Sequence, residues 1–168
     1  TLEGPTVEWM KRLSASNRVI LTGSLVIKEG EKYFNRLIWV MPNGEIGYYD
    51  KRHLFAYGEE DKHYTAGNKR LIASVKGWRI NLQICYDLRF PVWARQQSQL
   101  DEPEYDVLIY VANWPERRSH AWKTLLQARA IENVFTITLE NEYLQSVREK
   151  LPFLKDADGF MIINDGED

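Results

Sequence analysis

One cysteine in 168 residues excludes an intrachain disulfide and favours a reducing, cytoplasmic setting. Long apolar runs are also lacking. Nothing approaches the roughly 18 consecutive apolar residues a membrane span needs. Thr1-Leu2-Glu3-Gly4-Pro5 has neither a basic nor an apolar leader segment. Neither sign of charge dominates: 22 Lys and Arg face 24 Asp and Glu, for a net charge of −2. That balance gives no electrostatic case for nucleic acid or an anionic membrane as partner. The three histidines, His53, His63 and His120, lack metal-ligand spacing, so no metal site is indicated. Repeats, low-complexity tracts and linkers are absent as well. What remains is a chain 44% hydrophobic and 27% charged, which argues for a globular fold.

Hydrophobic spacing predicts a helix over Thr6 to Asn17, with Thr6 as its cap. A β-rich run over Val19 to Ile27 follows, then strands over Tyr33 to Met41 and Glu45 to Tyr49. Glu29-Gly30-Glu31 and Pro42-Asn43-Gly44 are the turns between them. Asp50 to Asn68 is polar and without periodicity, so it reads as a loop, where function concentrates. Strands are expected at Arg70 to Val75 and Trp78 to Ile84, and a helix at Pro91 to Gln99. A buried strand is expected at Tyr105 to Val111 and a helix at Ser119 to Asn133. Beyond it the pattern gives a strand over Val134 to Leu139 and a helix over Asn141 to Leu151. The alternation after Arg70 argues for an α/β layered fold.

Cys85 is the first candidate for chemistry. It stands where strand Asn81-Leu82-Gln83-Ile84 meets a turn and a helix, so backbone N–H groups after it can face an oxyanion. Its bland alternative is a small buried hydrophobe. A thiol nucleophile needs activation, and Lys51, just after a strand, is the second candidate. A lysine near Cys85 is expected to lower the thiol pKa and stabilise an oxyanion, although composition alone favours a solvated lysine. The third is Glu60, in Glu60-x-x-x-Tyr64-x-x-Gly67, a pattern that alone carries little.

Taken in order, five segments change this weighting. They are Tyr49-Asp50-Lys51-Arg52-His53-Leu54-Phe55, the Glu60 pattern, Ile84-Cys85-Tyr86-Asp87-Leu88-Arg89-Phe90-Pro91, Ala112-Asn113-Trp114-Pro115 and Ala128-Arg129-Ala130-Ile131-Glu132-Asn133. Together they resemble the nitrilase superfamily of carbon–nitrogen hydrolases, and most closely its omega-amidase branch. The resemblance runs from about Thr1 to Asn133 and resumes over Leu144 to Phe160.

It implies a single α/β domain over residues 1–168, a four-layer αββα sandwich acting on linear amides without metal or organic cofactor. Cys85 is implied as nucleophile, with Lys51 and the Tyr86 backbone N–H on the oxyanion. Glu60, rather than the adjacent Glu59, is implied to position Lys51. Asn113 and Trp114 are implied to line the substrate pocket. Arg89 and the Arg129/Glu132 pair read as structural, holding turns and helices through ion pairs. Arg117 and Arg118 could face a substrate carboxylate, with solvated charges the plainer reading.

The resemblance also implies a small omega-amide substrate such as 2-oxoglutaramate, and a homodimer. Alternatives are deaminated glutathione, an N-carbamoyl compound, or an inactive fragment acting as a binding module. Two departures set expectations. The family's general-base glutamate, in a Phe-Pro-Glu-like strand end, has no counterpart here, as if the first strand and helix precede Thr1. Relative to the family, roughly several tens of residues are also expected to be skipped between Asn133 and Val134.

Overall fold

The computed structural model describes residues 1–96 and 103–133, together with the backbone of Ile162–Ile163. The expected strand over Val134 to Leu139, the helix over Asn141 to Leu151 and the tail match over Leu144 to Phe160 lie outside the described residues, as does the junction after Asn133.

Helix α1 spans Pro5–Asn17. Gly4, not Thr6, occupies the N-cap, and Pro5 takes the first helical position, where its missing N–H costs nothing. Strands β1 (Leu21–Glu29), β2 (Lys32–Val40) and β3 (Ile46–Asp50) form an antiparallel meander in sequence order. Gly30 and Gly44 sit in the two turns with φ of 58° and 88°, a region only glycine enters without strain.

The second sheet has the order β4 (Leu71–Val75), β5 (Trp78–Ile84), β6 (Val107–Val111) and β7 (Ile162–Ile163). β4 and β5 form a hairpin, whereas β5 and β6 run parallel, Ile84 opposite Val111. A parallel pair needs a crossover. Here that crossover contains a 3-10 turn over Cys85–Arg89 and the short helix α3 (Pro91–Ala94). The longer helix expected to Gln99 is not formed as such, since Arg95 is already extended. The loop expected over Asp50 to Asn68 also carries local structure, a 3-10 turn at Ala56–Gly58 and α2 at Glu60–His63. Helix α4 spans Ser119–Glu132.

Period-two alternation explains how these elements stack. Leu37 and Trp39 of β2 join Tyr49, Ile80, Leu82, Ile84 and Val107 in a core between the two sheets. Ile38 and Val40, on the other face of β2, pack with Ile27 against Val7 and Met10 of α1. Leu126 and Ala130 of α4 cover the outer face of the second sheet with Leu88, and Ala94 of α3 packs there with Leu108. The layers are therefore helix, sheet, sheet, helix, the αββα order expected. In this arrangement the ends of β3 and β5 carry Lys51 and Cys85.

A candidate active site at the ends of two strands

Strand β3 ends in a built anchor. Arg36 is buried and forks onto Asp50 at 2.5 and 2.9 Å, with Glu29 at 2.8 Å. The next residue, Lys51, pairs its N–H with the Asn35 carbonyl at 2.9 Å. Its side chain is only 2% exposed, and Nζ donates to Glu60 Oε2 at 2.6 Å. The solvated lysine favoured by composition is thus not what the fold makes.

Glu60 is held from three directions. Besides Lys51, the Phe55 N–H donates to Oε2 at 2.8 Å and the Asn35 amide to Oε1 at 3.3 Å. Glu59 faces away, exposed and paired with Lys62. Burial by itself pushes the Glu60 carboxyl up, but Lys51 and the Phe55 N–H together hold it below its ordinary value of 4.5. A depressed folded pKa stabilises the protein above the ordinary value, and that contribution is lost as pH falls through the lower folded value. Urea unfolding at pH 7 and pH 3 checks this: wild type is expected to lose more stability on acidification than Glu60→Gln.

The glycine of the Glu60-x-x-x-Tyr64-x-x-Gly67 pattern has a packing reason. Gly67 donates its N–H to the Lys51 carbonyl at 3.0 Å, and its carbonyl accepts from Arg52 at 3.1 Å. A Cβ at this position would stand 2.2 Å from the Asp50 carbonyl oxygen. Backbone cannot yield as a side-chain tip can. Gly67→Ala is therefore expected to destabilise by about 1–3 kcal/mol and to displace Lys51, read by urea unfolding.

Cys85 lies where β5 breaks into the 3-10 turn, with φ of 45°. For a residue bearing a Cβ this left-handed conformation costs about 1–3 kcal/mol, so the surroundings must enforce it. Asp87 does so. Fully buried, it accepts the Ile84 N–H at 3.1 Å, the Tyr49 hydroxyl at 2.7 Å and the His53 N–H at 2.9 Å, and contacts His53 Nδ1 at 2.8 Å. Tyr49 in turn accepts from Trp93 Nε1 at 3.0 Å. Burial and the neighbouring Asp87 push the Tyr49 hydroxyl up, so it stays a neutral donor. This buried bracket was not singled out from the sequence. Its signal was present in Tyr49-Asp50-Lys51-Arg52-His53 and Cys85-Tyr86-Asp87, but only folding joins the two segments.

The thiol is half-buried, with Sγ facing the Asn113 carbonyl at 4.0 Å. Its pKa is raised on balance, although Lys51 acts in the expected direction. Burial pushes the thiol up most. Lys51 acts downward as expected, and Glu60, close enough to be felt, acts upward. Tyr86 is the second residue of the turn, where backbone N–H groups lack partners within the helix. Its ring packs between Phe55 at 4.9 Å and Phe90 at 5.4 Å.

The Asn113 backbone, rather than its amide, is what meets the sulfur. Trp114 braces the loop, its Nε1 donating to the Arg118 carbonyl at 3.0 Å and its ring 4.9 Å from Trp122. Arg129 donates to the Leu88 carbonyl at 2.9 Å and pairs with Glu132, as its structural reading expected. Arg89 does not hold a turn by an ion pair among the described residues. It is exposed and stacks on Trp114 at 5.4 Å. Arg117 is exposed, and Arg118 lies over the Phe55 ring at 6.0 Å. Among the described residues no cluster of three or more His, Cys, Asp or Glu could hold a metal, and no helix is long and apolar enough to cross a membrane.

The α/β sandwich thus carries Cys85 on a strained strand-to-turn elbow of one sheet and a buried Lys51–Glu60 pair at the end of the other, the pair within electrostatic reach of the thiol. The chain belongs to the carbon-nitrogen hydrolase family, whose profile matches residues 1–139. It is 45% identical over 131 residues to omega-amidase YafV of Yersinia enterocolitica, covering 78% of this chain and 49% of that protein. It is 34% identical over 127 residues to the 2-oxoglutaramate amidase of Bacillus subtilis, covering 74% and 48%. Among solved structures, a carbon-nitrogen hydrolase superfamily protein of Xanthomonas campestris with an arsenic adduct in its active site is 49% identical, with a TM-score of 0.75. That match covers 79% of this chain and 51% of the other. The chain thus spans about half the length of the relatives it matches, and its sandwich is of the nitrilase type.

Proposed function

We propose that the protein containing this chain hydrolyses a small omega-amide to a carboxylate and ammonia, with Cys85 as nucleophile. One observation carries the reading: the buried Lys51–Glu60 pair stands within electrostatic reach of a cysteine held in a left-handed elbow. In this reaction Cys85 Sγ attacks the amide carbon. Lys51 Nζ and the Tyr86 N–H stabilise the oxyanion while the C–N bond breaks. Ammonia leaves, and water cleaves the thioester, returning the thiol.

The reaction calls for a general base to take the Cys85 proton and pass it to the leaving nitrogen, and burial, which pushes the thiol up, adds to that need. Glu60 and Asp87 are poor choices, since each already accepts several hydrogen bonds. The family resemblance assigns this task to a glutamate in a Phe-Pro-Glu-like strand end, which has no match among these 168 residues. Glu60 then keeps Lys51 charged and aimed.

The omega-amide choice rests on similarity to the omega-amidase and 2-oxoglutaramate amidase above. Ammonia release by the full-length protein from 2-oxoglutaramate, a deaminated-glutathione amide and an N-carbamoyl amino acid tests it. Turnover of the first is expected to exceed the others at least tenfold. Preference for either of the others, or release of carbon dioxide with the ammonia, overturns the substrate assignment.

A further inference from the structure

Five arginines among the described residues are wholly or partly buried: Arg36, Arg70, Arg79, Arg118 and Arg129. Four of them carry a carboxylate partner, Asp50, Glu104, Asp106 and Glu132 respectively. Arg118 has none among the described residues. A partly desolvated guanidinium without a counter-ion is unfavourable, and its fork geometry matches a carboxylate.

Its placement ties it to the thiol from two sides. The guanidinium lies over the Phe55 ring at 6.0 Å, and that ring packs on Tyr86, the neighbour of Cys85. Phe55 also holds Glu60 through its N–H. The Arg118 carbonyl accepts from Trp114 Nε1, fixing it to the loop whose Asn113 carbonyl faces Cys85 Sγ. A cation over a ring face is held by the ring's electrostatics without using its N–H donors, so the contact with Phe55 does not consume them.

We propose that Arg118 receives the carboxylate at the far end of the substrate, so that the site selects linear amides carrying an anionic tail over neutral amides of equal length. This rests on the reading of Cys85 as the amide-cleaving nucleophile. The amide carbon sits at Cys85 and the tail reaches across Tyr86 and Phe55 to Arg118. The four other buried arginines are already neutralised and cannot serve this role.

Two measurements on the full-length protein separate this proposal from the reading it rests on. In the first, ammonia release is followed for succinamate and for butyramide. Arg118→Met is expected to raise KM for succinamate about 10–100-fold, with butyramide turnover unchanged and Arg118→Lys recovering part of the loss. An equal loss on both amides makes Arg118 a structural brace and overturns the proposal. Equal use of both amides by wild type also overturns it.

In the second, Cys85 alkylation by iodoacetamide is followed by mass spectrometry with and without glutarate. Glutarate is expected to slow alkylation in wild type but not in Arg118→Met. Protection lost in this way supports Arg118 as the carboxylate receptor even if no amide is turned over, in which case the hydrolase reading fails alone. No protection in wild type, or equal protection in both proteins, overturns the proposal.

Discussion

Cys85→Ala is expected to lower ammonia release by the full-length protein more than about 10⁴-fold while leaving it folded. The magnitude follows from removing a nucleophile from a set that acts as a unit. The fold should tolerate the change because the elbow is imposed by its surroundings. Asp87 holds the Ile84 N–H, the Tyr49 hydroxyl and His53 without using the sulfur, whose one hydrogen-bond contact among the described residues is a 4.0 Å approach to the Asn113 carbonyl. Alanine keeps the Cβ and hence the left-handed strain. Circular dichroism and urea unfolding should place Cys85→Ala within about 1 kcal/mol of wild type. Near-normal turnover in this variant would sink the mechanism.

The largest effect on stability is expected at the Lys51–Glu60 pair, and it should separate from the effect on activity. Glu60→Ala leaves a lysine that is 2% exposed without its counter-ion. Removing one partner of such a pair costs about 3–5 kcal/mol, because the desolvated charge remains. Lys51→Met removes the charge itself, and the 20% exposed Glu60 can still reach water, so a smaller loss is expected. The double variant Lys51→Met/Glu60→Leu removes both charges and should recover most of the stability lost in Glu60→Ala. All three variants should lose ammonia release, by about 10²–10³-fold for the oxyanion donor alone. Urea unfolding beside an ammonia assay reads both quantities. A double variant as unstable as Glu60→Ala would show that packing, not an uncompensated charge, sets the loss. Activity surviving in Lys51→Met would remove the lysine from the oxyanion role.

Much of the fold was legible because its signals are local. Alternation along Lys32–Val40 marks a strand with two buried faces, and the glycine turns at Gly30 and Gly44 bound the meander. The errors are local too. Thr6 is a good capping residue, but Pro5 one position earlier already has the φ a first helical turn needs. The helix predicted through Gln99 stops at Ala94, where Arg95 turns extended. The polar stretch after Asp50 folds into short helical turns because Glu60 is drawn inward by Lys51 and the Phe55 N–H.

The site was legible only through motif wording, and its energetics not at all. Sequence alone determined that an α/β chain carries one thiol at a strand end and a lysine at another, because periodicity and turn residues are local properties. The tertiary structure decided which side chains lose water. Lys51 is a poor candidate for burial by composition, yet Arg36, Asp50, Asn35 and Glu60 converge to hold it inside. It also set the balance at Cys85, where Lys51 lowers the thiol pKa as expected but the sandwich that brings it near buries the thiol more strongly than the lysine charge can offset. Desolvation depends on every element packed around a group, and no single stretch of sequence contains that sum.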